Sequence, residues 1–188
     1  MKIILIDHND SFTYNIVEVL RHIKNCEVQV VKYDKITIEL INRFDKIIFS
    51  PGPGLPTDYI KTNKIIDTFF RKKPILGICL GQQIICSYFG ANLYNMETII
   101  HGVKKEIHIA TKSKLFKNVP AKTEVGLYHS WAVSSTKFPK NLLITSTGTD
   151  GTIMSVEHEK YPLYGIQFHP ESFLTEYGIQ ILKNFIEL

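Results

Sequence analysis

The sequence predicts an α/β protein: an open, mostly parallel sheet flanked by helices, with an added antiparallel section. Three observations carry that prediction. Between Lys2 and Phe89, short β-rich runs alternate three times with segments of helical apolar spacing, joined by short links. Polar or reactive residues fall at the carboxyl ends of several of those runs, where open α/β sheets place their crevice. From Val103 onward the pattern changes to strands joined by turns.

Taken in order, Lys2 to Ile6 reads as a first buried strand that ends in Asp7. His8-Asn9-Asp10-Ser11 offers N-caps for a helix whose apolar face is Phe12, Ile16, Val19, Leu20 and Ile23. Glu27 to Tyr33 is a second strand, Ile36 to Phe44 a short helix, and Lys46 to Ser50 a third strand. Pro51-Gly52-Pro53-Gly54 can join neither helix nor ladder. A helix with Ile60, Ile65, Ile66, Phe69 and Phe70 on its apolar face leads to a central strand at Ile75. In the second half, Val103 to Ile109, Glu124 to Tyr128, Leu142 to Ser146, Thr152 to His158 and Tyr164 to Phe168 read as strands. Asp150-Gly151 marks a hairpin between two of them. Tyr177 to Leu188 closes the chain as an amphipathic helix.

The chain turns around Pro74 to Phe89. Ile75 to Ile78 is a buried strand, and after Gly81 the apolar residues Ile84, Ile85, Tyr88 and Phe89 mark one face of a helix. Between them, Gly77-Ile78-Cys79-Leu80-Gly81 forms a G-x-C-x-G turn like a nucleophile elbow. Such a turn exposes the middle residue at a helix N-terminus, where the positive helix end favours thiolate over thiol. A small buried cysteine in a tight turn is the competing reading of this stretch alone. Near the other end, Gln167-Phe168-His169-Pro170-Glu171 supplies what a cysteine nucleophile needs. Alternation along a strand would point His169 and Glu171 the same way, giving a base and its orienting carboxylate. Alone, that tripeptide reads rather as an exposed strand end with a solvated His and Glu. Together with the elbow and the proline-glycine loop, it favours a cysteine nucleophile.

Composition bounds the rest. The 188 residues suit one domain, residues 1–188, and no apolar run is long enough for a membrane span. The net charge of +4 is spread over small clusters at Arg71 to Lys73, Lys104 with Lys105, and Lys112 with Lys114. None interleaves with aromatics, so no nucleic-acid partner is expected. Seven histidines show no metal-ligand spacing, and no metal or cofactor is expected. Cys79 and Cys86 lie about 10 Å apart along one helix, beyond disulfide reach, which with the short N-terminus suits the cytoplasm.

The chain resembles the class I (triad) glutamine amidotransferases, in particular the glutaminase subunits that serve chorismate-using synthases. The resemblance spans the whole chain. It rests on D-x-x-D-S-F-T-Y-N at Asp7 to Asn15, S-P-G-P-G at Ser50 to Gly54 and G-I-C-L-G at Gly77 to Gly81. It continues through H-G at His101 and Gly102, Y-H-S at Tyr128 to Ser130 and Q-F-H-P-E-S at Gln167 to Ser172. The resemblance implies a single glutamine amidotransferase domain with a triad of Cys79, His169 and Glu171. It further implies an oxyanion hole near Gly52 and Leu80. Gln83, Ser130 and Trp131 would hold the substrate L-glutamine, with Gly52, Pro53 and Gly54 lining the wall. It also implies a hetero-oligomer in which ammonia passes to a separate synthase subunit. Anthranilate synthase is the first expectation for that subunit; aminodeoxychorismate synthase, or service to both, is the second. A stand-alone cysteine hydrolase or a non-catalytic subunit are the rival readings. Where the family commonly has G-H-Q, H-G-K and R-Y-H-S-L, this chain has Gly81-Gln82-Gln83, His101-Gly102-Val103 and Leu127-Tyr128-His129-Ser130-Trp131. An expected E-A-G is replaced by Asp58-Tyr59-Ile60.

Overall fold

A computed structural model describes residues 1–110 and 113–188, so Lys112 of the predicted basic cluster lies outside the described residues. Among these described residues, nine strands make one sheet: β1 (Lys2–Asp7), β2 (Glu27–Lys32), β3 (Lys46–Phe49), β4 (Ile75–Ile78), β5 (Leu93–Ile109), β6 (Lys122–Val133), β7 (Leu142–Gly148), β8 (Ile153–His158) and β9 (Leu163–Ile166). Their order is β2-β1-β3-β4-β9-β8-β7-β5-β6. The first five strands in that row run parallel, and the others pair antiparallel. The fold is thus the open, mostly parallel sheet with an antiparallel section that the sequence predicts. Because β1 sits between β2 and β3, the chain reverses direction across the sheet there, and a crevice opens at the carboxyl ends.

Among the described residues, five α-helices accompany the sheet: α1 (Thr13–Arg21), α2 (Ile38–Ile41), α3 (Ile60–Phe69), α4 (Leu80–Tyr88) and α5 (Gly178–Glu187). Both faces of the parallel half are covered. Ile3 and Leu5 pack with α1 and α5 residues such as Leu20 and Phe185. Ile4 and Ile6 join the cluster of Ile66, Phe69 and Ile84 on the other face. Two-sided burial explains why β1, β3, β4 and β9 read as continuous apolar runs. No helix among the described residues is long and apolar enough to cross a membrane.

Several local expectations are corrected. Phe12, without a side-chain cap, takes the N-cap of α1; Asp10 instead accepts from the Phe12 N–H at 2.8 Å in an Asx turn. The predicted helix over Ile36 to Phe44 shrinks to Ile38–Ile41, capped by Thr37. Ile60 opens α3 but is 65% exposed, so the buried face begins with Thr62 and Ile65. The strand expected at Val103 begins ten residues earlier at Leu93, with register shifts near Asn95–Ile100 and His101–Val103 that hid its period-two pattern.

Candidate active site

The elbow is built from β4, α4 and the residue between them. Cys79 itself carries the sharp turn, with φ +52° and ψ −103°, and its N–H donates to the Ile166 carbonyl of β9 at 2.8 Å. The flanking glycines serve close approach instead. A Cβ on Gly77 would overlap the Gly81 carbonyl, and one on Gly81 would press on the Phe49 backbone. Strand and helix can therefore meet tightly enough to hold a strained cysteine at the helix N-terminus.

His169 and Glu171 reach the site by another route than the one the sequence suggested. β9 ends at Ile166, and the two residues sit in a turn closed by the Ser172 N–H donating to the His169 carbonyl at 3.2 Å. Turn geometry, rather than strand alternation, brings His169 Nδ1 within 2.7 Å of Glu171 Oε1, with side-chain exposures of 2% and 0%. The turn is stitched to β6. His169 N–H donates to the Gly126 carbonyl at 3.0 Å, and Thr175 Oγ1 both accepts from Gly126 N–H and donates to the His169 carbonyl. The rings of Phe12 and Tyr128 pack edge-on against the imidazole, with centroids 5.2 and 4.8 Å away.

Burial works to lower the His169 pKa, but the sulfur of Cys79 and the carboxylate of Glu171 outweigh it and raise it to about 10. The imidazole therefore keeps its proton at neutral pH. Among the described residues its Nε2 has no hydrogen-bond partner of good geometry, although Cys79 is close enough to act on its titration. That nitrogen is the one placed to pass a proton.

Gly52, Pro53, Gly54, Cys79, Leu80, Gln83, Tyr128, His129, Ser130 and Trp131 line one pocket of about 210 Å³. All seven residues assigned to substrate binding from sequence meet there, beside the cysteine. The volume suits a small polar molecule. A larger hollow, about 1010 Å³, opens at the opposite edge around Asp45, Lys46 and Lys183, but holds no nucleophile with an acid–base pair. Among the described residues, no group of three or more His, Cys, Asp or Glu could hold a metal ion.

Sequence reasoning missed the support behind the proline-glycine loop. His8 is fully buried; its N–H donates to Ser50 Oγ at 2.8 Å, and its Nε2 lies 3.1 Å from Thr62 Oγ1. Burial holds its pKa down at about 4, so the ring is neutral. Tyr59 OH lies between the carbonyls of His8 (3.2 Å) and Pro53 (2.9 Å), so Tyr59, in the segment that departs from the family pattern, ties the loop down. Gly52 fits against this support because it lacks a side chain: a Cβ would lie 2.7 Å from the His8 carbonyl oxygen. Gln82, another departure, is fully buried beside Gly165, and neither amide atom has a partner among the described residues.

A strained cysteine at an elbow, a buried imidazole–carboxylate pair and a small polar pocket meet at the carboxyl edge of an α/β sheet. Residues 4–188 match the family model for class I glutamine amidotransferases, and the chain belongs to that family. It is 43% identical over 187 residues to anthranilate synthase component 2 of Cyanophora paradoxa, covering 98% of this chain and 97% of that one. Anthranilate synthase component 2 of Lactococcus lactis is 39% identical over 186 residues, covering 98% and 93%. Among solved structures, a glutamine amidotransferase of Thermotoga maritima superposes with a TM-score of 0.84 over 100% of this chain and 96% of that one; at 16% identity this likeness shows the fold.

Proposed function

We propose that the chain is the glutaminase subunit of an anthranilate synthase, releasing ammonia from L-glutamine for a chorismate-using partner subunit in the cytoplasm. The observation that carries the chemistry is the buried His169–Glu171 pair beside a pocket that holds Cys79. The names of full-length relatives carry the choice of partner.

In this reading the Cys79 sulfur attacks the side-chain amide carbon of glutamine. Oxyanion charge develops beside the backbone of Gly52 and Leu80; losing one such donor typically costs roughly 3 kcal/mol. The C–N bond then breaks, and protonated His169 gives its proton to the leaving nitrogen, which departs as ammonia. Neutral His169 next takes a proton from water as the water adds to the thioester. The C–S bond breaks and glutamate leaves. Glu171 keeps the imidazolium oriented and compensated throughout. The start of α1 from Asp10 to Asn15, where Tyr14 is 68% exposed, is our candidate contact for the partner.

Glutamate release from glutamine should be slow in the isolated subunit and rise when the synthase chain is added, with anthranilate formed from chorismate. Cys79→Ser should abolish the glutamine-dependent reaction and spare the ammonium-dependent one in the mixed complex. Near-wild-type glutamine hydrolysis by Cys79→Ser sinks the nucleophile assignment. Formation of aminodeoxychorismate in place of anthranilate sinks the choice of partner.

A further inference from the structure

We propose that Gln167 is a further catalytic residue of this site: its side-chain amide donates a hydrogen bond to the Cys79 sulfur, in an orientation imposed by the Trp131 carbonyl through Gln83. The inference rests on Cys79 being the glutaminase nucleophile.

The Trp131 carbonyl oxygen can only accept. Gln83 meets the Trp131 backbone oxygen at 2.9 Å, so the atom of Gln83 there must be Nε2. That nitrogen carries two hydrogens, and the second is directed at Gln167, 3.0 Å away. The facing atom of Gln167 must therefore be Oε1. What remains for the sulfur, at 3.4 Å, is Gln167 Nε2, a donor. Amide orientations follow from such networks, and a backbone acceptor at one end leaves a single consistent choice. His129 Nδ1 meets the same carbonyl at 2.9 Å, so it too carries a hydrogen. Gln167 is 0% exposed, so its amide cannot turn toward water for an alternative partner.

A fixed N–H against a sulfur matters most when the sulfur is negative, because charge-assisted hydrogen bonds are about twice as strong as neutral ones. That condition arises twice in the cycle. It arises before attack, and again when the C–S bond of the thioester breaks and its electron pair returns to sulfur. The relay also spends both hydrogens of Gln83, which leaves only Oε1 of that amide with bonding capacity. A ligand that uses it must bring a donor, as the α-ammonium of an amino acid does.

The test is alkylation of Cys79 by iodoacetamide across pH, followed by the mass of the Cys79 peptide, which separates it from fully buried Cys86 and half-buried Cys26. Gln167→Met keeps an unbranched side chain and removes the donor. Its rate profile should lie about one unit to higher pH than wild type, so alkylation on the acid side is about tenfold slower. Gln167→Glu keeps the shape but presents an acceptor to the sulfur, and should be slower still. If Gln167 only fills space, the near-isosteric glutamate will react faster than methionine, and the proposal is overturned. Coincident profiles for wild type and a folded Gln167→Met overturn it as well. Should Gln167→Met not fold, Gln167→Asn, too short to reach the sulfur, carries the same expectation and the same refutation. Failure of the glutaminase reading would show differently, as wild type that releases no glutamate from glutamine whatever its alkylation profile.

Discussion

Replacing Cys79 by alanine and by glycine separates the reactivity of the nucleophile from the strain in its backbone. At φ +52° and ψ −103°, Cys79 lies outside the wells open to residues with a Cβ, which costs roughly 1–3 kcal/mol. Alanine keeps the Cβ and the strain, whereas glycine sheds it. Against that gain, the more flexible unfolded chain of the glycine variant costs roughly 0.4–1 kcal/mol. Both variants lose the sulfur and leave the Gln167 amide without it, so those losses cancel in the comparison. The balance makes Cys79→Gly about 1 kcal/mol more stable than Cys79→Ala, or about 2–4 °C in Tm for a chain of 188 residues. Urea unfolding of the two proteins, with equal m-values, measures the difference directly. A glycine variant no more stable than the alanine variant would refute the claim that the elbow stores strain at the nucleophile.

Gly52→Ala places a Cβ 2.7 Å from the His8 carbonyl oxygen and 2.8 Å from Leu80 Cδ2, so the loop must shift away from the cysteine. Glutamine kcat/KM should fall about a hundredfold with the fold intact by circular dichroism, and an unchanged value would remove the loop from the catalytic geometry. His8 predicts a pH effect whose sign is set by its lowered pKa, about 4 against 6.5 for the free group. Between those values the unfolded chain binds a proton that the folded one refuses, so this stability is present above pH 6.5 and lost as pH falls toward 4. The unfolding free energy of wild type from urea titrations should fall more steeply over that window than that of His8→Asn, by up to about 1.4 kcal/mol per pH unit, and parallel curves would contradict it.

The parallel half of the fold was legible because its inner strands are buried on both faces. Runs such as Ile3 to Ile6 and Ile75 to Ile78 admit few alternatives, and short links force crossovers. β5 was half hidden because its two register shifts break the alternation on which strand reading depends. At the site, Cys79, His169 and Glu171 stood out in sequence motifs, but the way the last two are brought together could not be read there. A turn closed by Ser172 does what alternation was expected to do. Gln167 stood in a recognised motif without a role, since its meaning depends on Gln83 and Trp131, distant in sequence. His8 and Tyr59 were invisible for the same reason: they support the loop through carbonyl and hydroxyl contacts that no periodicity records.

The place of β9 in the sheet has a consequence for biosynthesis. Leu163 to Ile166 slot in beside Ile75 to Ile78, so a strand made late in translation fills the centre of a sheet whose other parallel members were made early. Until it arrives, β4 presents an open, wholly apolar edge, which is the kind of surface that invites pairing with another chain and calls for chaperone cover. The same arrival supplies the Ile166 carbonyl that receives the Cys79 N–H, and it brings His169 and Glu171 three and five residues behind. A chain without this strand in place therefore lacks both the carbonyl that holds the Cys79 N–H and the imidazole–carboxylate pair that follows it.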